Sequence, residues 1–156
     1  MNKQILDELN LVSLHFQDEH GTNLTVGLRE NSKWQLLNGT YHCDPYFDKT
    51  DGTVVISEPL TYYNQTISGI SLTYKDGIIV KYDATENLSL LTRILLENEG
   101  FTNSIMSVGF ASEPTKRCFT QIGAEDYPAE FYTAGLKVTG VDDKGEQVEV
   151  SALFWG

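Results

Sequence analysis

The densest run of chemistry-bearing residues in this 156-residue chain is His42-Cys43-Asp44, an imidazole, a thiol and a carboxylate in succession. On a strand, neighbouring side chains point to opposite faces, so these groups reach one metal or form a dyad only in a loop. The other histidines, His15 and His20, stand apart from it at the end of an alternating segment and in a polar turn. Asp44, Asp48 and Asp51 share one stretch, but their spacing departs from the D-x-D-x-D-G pattern of a calcium loop. Glu125, Asp126 and Glu130 surround Tyr127-Pro128. Paired carboxylates divide acid and base roles when burial separates their pKa values, whereas a solvated turn leaves them alike. Among the aromatic residues, Trp34, Tyr46, Phe47, Tyr62 and Tyr63, together with Phe131, Tyr132, Phe154 and Trp155, could line a cleft or fill a core.

The common catalytic signatures are absent: no Walker A loop, H-E-x-x-H, G-x-S-x-G, C-x-x-C or G-x-G-x-x-G occurs. Eleven Lys and Arg against 22 Asp and Glu give a net charge of −11. That balance opposes phosphate binding through clustered cations, and it opposes adhesion to an anionic membrane surface. Nucleic acid and membrane are therefore not expected partners. An apolar fraction of 40% is ample for a core. The length suits a single domain over residues 1–156. The first residues, Met1-Asn2-Lys3-Gln4-Ile5-Leu6-Asp7-Glu8, place an acidic pair where a signal peptide needs an apolar run, so the expected compartment is the cytoplasm. Cys43 and Cys118 are then expected as thiols.

Most of the positioning elements read as strands. Leu11 to Phe16 and Asn23 to Leu28 alternate around the turn Asp18-Glu19-His20-Gly21. Trp34 to Leu37 and Thr53 to Ile56 flank an expected loop over residues 44–52. Thr66 to Tyr74 and Ile78 to Tyr82 meet at Asp76-Gly77, a dipeptide suited to a tight hairpin. A second hairpin is expected to turn at Asp142-Asp143-Lys144-Gly145, between Gly135 to Val141 and Gln147 to Phe154. One long amphipathic helix is expected over residues 83–99. It would start at a capping box, Asp83-Ala84-Thr85-Glu86, bury Leu88, Leu91 and Leu95 with Leu90 and Ile94 widening the stripe, and stop at Gly100. A shorter helix is expected from Lys3 to Leu9. The fold class is α+β: a mostly antiparallel, barrel-like sheet with that one long helix.

Gly21-Thr22-Asn23-Leu24-Thr25-Val26-Gly27-Leu28, followed by Trp34, is similar to a G-T-D-L-T-[VF]-x-L segment. Pro45, Gly52-Thr53-Val54-Val55 and Glu58-Pro59-Leu60 follow in order. Next come Ile67 to Tyr74, Lys75-Asp76-Gly77-Ile78-Ile79-Val80 and Glu97-Asn98-Glu99-Gly100. Together these passages, from Leu11 to Phe110, resemble the catalytic region of the aminopeptidase T / aminopeptidase S family of two-metal aminopeptidases. The resemblance implies five metal ligands. The first glutamate falls at Thr40, the second at Ile105 or Met106, the first histidine at Phe119, and the closing H-x-D pair near Gly135 and Lys137. The family's nearby tyrosine has a counterpart in Tyr127. Two-metal hydrolysis needs carboxylates and imidazoles that hold the ions against one water and one carbonyl, and Thr40, Ile105 and Phe119 supply neither.

The leading expectation is thus a non-catalytic aminopeptidase-like domain, a binding or assembly module with no cofactor, paired as a homodimer or with another protein. The alternative is a metal-dependent hydrolase with ligands relocated to His42, Asp44, Asp48, Asp126 or Glu130, and only this reading calls for a divalent metal. A third is a small-molecule binder with an aromatic-lined cleft.

Overall fold

A computed structural model of the chain describes residues 3–29, 33–37, 40–43, 45–56, 59–62, 64–97, 105–111, 118–122, 129–133 and 137–150. The chain begins with α1 (Lys3–Glu8), in which Leu6 is wholly buried. Asn10, at φ 53°, turns the backbone out of this helix into β1 (Leu11–Gln17). The turn after β1 is held by Asp18, whose Oδ1 accepts from the backbone N–H groups of His20 and Thr22 at 2.8 and 3.0 Å. β2 (Asn23–Leu28), β3 (Gln35–Leu37), β4 (Thr40–Cys43) and β5 (Pro45–Ile56) follow. Then come β6 (Leu60–Tyr62), β7 (Gln65–Ile67), β8 (Ile70–Lys75), β9 (Ile78–Asp83) and α2 (Leu88–Glu97). The last elements are β10 (Ile105–Ala111), β11 (Cys118–Ile122), β12 (Ala129–Thr133), β13 (Lys137–Asp142) and β14 (Gln147–Glu149).

The strands form a seven-stranded sheet in the order β14-β13-β1-β2-β5-β8-β9, a five-stranded sheet in the order β12-β11-β10-β4-β3, and the ribbon β6-β7. All pairings between these strands are antiparallel. The α+β class holds, but the expected barrel does not. Closing the large sheet would require β14 to pair with β9. β14 has three residues, and β9 is bulged at Val80 because Tyr74 pairs with Ile79 and Thr73 with Lys81. A bulge and the charged Lys81 and Asp83 on an edge strand oppose further pairing.

One face of the large sheet makes the core. Val138, Phe16, Leu24, Gly52 and Tyr74 form one transverse row, and Leu14 and Val26 lie in the next. All the side chains in these rows are buried, each stabilising the fold by about 1.5–3 kcal/mol for the large aliphatic ones.

Residues 45–52 are strand rather than the expected loop. β2 pairs Val26 with Thr50 and Gly27 with Tyr46, so Phe47, Asp48 and Lys49 are thrown out of register as a bulge. Gly27 makes this fit: a Cβ there would lie 2.7 Å from the Lys49 Cβ. The Lys49 ammonium turns over the Tyr46 ring, 4.9 Å from its centre. The expected strand from Thr66 to Tyr74 is divided between β7 and β8 at Ser68-Gly69. The Asp76-Gly77 hairpin forms as expected, with φ 50° and 82° at its two central residues. So does the turn before β14, where Asp142 Oδ1 accepts from the N–H groups of Lys144 and Glu146, both at 2.9 Å.

The long helix is shorter than its periodicity predicts. Asp83 ends β9, and residues 85–86 are captured by Ser68 before α2 starts. The Ser68 carbonyl accepts from the N–H groups of Thr85 and Glu86 at 2.9 and 3.2 Å and from Thr85 Oγ1 at 3.1 Å, and Ser68 N–H donates to Glu86 O. Asp83 Oδ1 accepts from Ala84 N–H instead of capping a helix. Asn87, at φ 59°, then provides the first helical acceptor, for Leu90 and Leu91 N–H. Leu90, Leu91, Ile94 and Leu95 are buried, whereas Leu88 is exposed. Gly100 lies outside the described residues. No helix among the described residues is long and apolar enough to cross a membrane.

Candidate functional site

Three of the positions implied for metal ligands fall on three adjacent strands of the five-stranded sheet. Thr40 opens β4 and pairs with Ala111 and Leu37; Ile105 opens β10 and pairs with Ile122; Phe119 in β11 pairs with Gly109 and Tyr132. Lys137 opens β13 in the seven-stranded sheet, pairs with Gln17 and is exposed. Gly135, Tyr127 and Asp44 lie outside the described residues, as does Asp126.

The register adds a relationship that linear spacing hides. Tyr132, Phe119, Gly109, His42 and Gln35 are paired in succession across the sheet. His42 therefore shares a transverse row with Phe119, two strand spacings or about 10 Å away along the backbone. Its neighbours Tyr41 and Cys43 are both buried, with Cys43 a thiol.

Of the relocated ligand set, His42, Asp48 and Glu130 lie among the described residues, on three separate strands. Glu130 in β12 pairs with Gln121 and is three strands from β4, while Asp48 is exposed in the β5 bulge of the other sheet. Among the described residues no three His, Cys, Asp or Glu side chains group as a metal ion would require. The donor chemistry at the implied positions also fails to suit a two-metal centre. Isoleucine and phenylalanine have no donor atom, and a threonine hydroxyl is a neutral ligand that cannot balance two divalent charges.

The remaining histidines have local roles. His15 on β1 is half-buried, with Nε2 2.6 Å from Asn23 Oδ1, and His20 is exposed in the turn. Two hydroxyls in the core, Thr50 Oγ1 and Tyr74 OH, are buried with no hydrogen-bond partner among the described residues. Burial pushes the Tyr74 hydroxyl well above the usual tyrosine pKa.

Of the aromatic residues, Trp34 does line a cleft, of about 430 Å³, between α1, the start of β1 and the end of β2. Asp7 fixes its backbone, accepting Trp34 N–H on Oδ1 at 3.0 Å. Arg29, Lys33 and Asp143 on the same cleft carried no signal in the sequence, because they are charged residues scattered along an acidic chain.

Residues 1–103 match the family model described as thermophilic metalloprotease (M29). Of the implied ligand positions, Thr40 alone lies inside that match. The chain is 29% identical over 112 residues to aminopeptidase PepS of Streptococcus thermophilus, and 30% identical over 110 residues to aminopeptidase T of Thermus aquaticus. These alignments cover 62% and 61% of this chain and 27% of each relative, so the chain spans about a quarter of the curated relatives it matches. In fold it is similar to wild-type AmpT from Thermus thermophilus, with a TM-score of 0.77 at 17% identity, over 94% of this chain and 50% of that one. It is also similar to a 2,5-dihydroxypyridine dioxygenase from Pseudomonas putida KT2440, with a TM-score of 0.61 at 12% identity, over 87% of this chain and 51% of that one. At 17% and 12% identity, the shared architecture speaks for fold alone.

Proposed function

The chain belongs to the thermophilic metalloprotease (M29) family, and from that membership we propose that it is a non-catalytic aminopeptidase-like domain, acting as a cytoplasmic binding or assembly module. The observation that carries the proposal is the chemistry at Thr40, Ile105 and Phe119, which stand on β4, β10 and β11 and offer no charged ligand. The module works through a second copy of itself or another protein, and the net charge of −11 argues against nucleic acid and membrane surfaces. Calorimetric titration with zinc, cobalt and manganese, run beside a leucine-chromophore assay, tests it. The expected result is neither stoichiometric micromolar binding nor turnover. Metal binding accompanied by turnover overturns the proposal.

A second reading, metal-dependent hydrolysis with relocated ligands, draws support from the row that His42 shares with Phe119. Under that reading a His42→Ala variant loses metal affinity and activity together. Under the leading one it changes neither.

A further inference from the structure

We draw no further inference here: the strongest candidate, the exposed apolar pair Ile78 and Val80 on the edge strand β9 of the seven-stranded sheet, carries nothing because nothing among the described residues shows what covers it.

Discussion

Thr22 and Val55 complete a strand pairing through a side chain. The Val55 backbone N–H donates to Thr22 Oγ1 at 3.0 Å, and the same hydroxyl donates to Val55 O at 3.3 Å. Thr22 is buried immediately before β2, so its hydroxyl extends the β2–β5 ladder by one step. The threonine of the glycine-threonine segment that marks the family resemblance is thus a sheet-building residue in this chain. Thr22→Val, of nearly the same shape, leaves the N–H and C=O of Val55 without this partner. It is expected to cost about 1–3 kcal/mol in urea unfolding, with Thr22→Ser recovering most of the loss. Equal stability of the valine variant would show that the hydroxyl contributes nothing net.

The bulge in β5 makes a second prediction. An added methyl at position 27 meets the Lys49 Cβ at 2.7 Å, a contact no trimming of the lysine's outer carbons relieves. Gly27→Ala is expected to destabilise by about 1–3 kcal/mol. Lys49→Ala in the same chain should not rescue it, whereas Lys49→Gly should, giving a coupling energy of about 0.5 kcal/mol or more in a double-mutant cycle. Strictly additive effects would place the bulge elsewhere.

Alkaline stability should report on Tyr74. Burial raises its folded-state pKa above the unfolded value of about 10, so the native state holds a proton that the unfolded chain releases. This contribution is therefore complete below pH of about 10 and declines as pH rises from there toward the folded pKa. Tyr74→Phe should flatten that alkaline decline. It should also leave stability at pH 7 nearly unchanged or slightly higher, because the hydroxyl is buried without a partner among the described residues. Urea midpoints measured from pH 7 to pH 11 check both parts, and a large loss at pH 7 would show that the hydroxyl is satisfied in solution.

The start of α2 depends on Asn87 rather than on the acidic residues before it. Asn87 holds a left-handed backbone and its Nδ2 donates to Thr66 O at 2.6 Å, tying the helix to β7. Asn87→Ala loses the tie and strains the backbone, with an expected cost of about 2 kcal/mol. Asn87→Gly keeps the backbone geometry and should cost less. Glu86→Ala should shift stability by under about 0.5 kcal/mol, as an exposed surface change does. A larger loss for Glu86→Ala than for Asn87→Ala would restore the capping box that the sequence pattern suggests.

Particular residues show how far the sequence could be read. Asp76-Gly77 needs only its own backbone preferences to make a hairpin, and the alternation in Leu11 to Phe16 needs only a wet and a dry face. Both were legible. Residues 45–52 were not, because Asp48, Lys49, Asp51 and Gly52 carry loop preferences that pairing with β2 and β8 outweighs. The capping pattern at residues 83–86 misled for a related reason: Ser68, eighteen residues upstream of Glu86, offers the same backbone groups a better-placed partner.

For the candidate site, the identities of Thr40, Ile105 and Phe119 could be read directly. They settle by themselves that no carboxylate or imidazole stands at those three positions. Sequence also fixed the strand-rich α+β character and the family, since these rest on local periodicity and on ordered short segments. Whether the sheet closes was decided only by the tertiary structure, through a bulge at Val80 and a three-residue β14. So was the row that brings His42 level with Phe119, and the cleft that joins Trp34 to Asp143. Each depends on register between strands far apart in the chain. A shift of one residue reverses every side chain of a strand, so no local preference encodes which distant groups will meet.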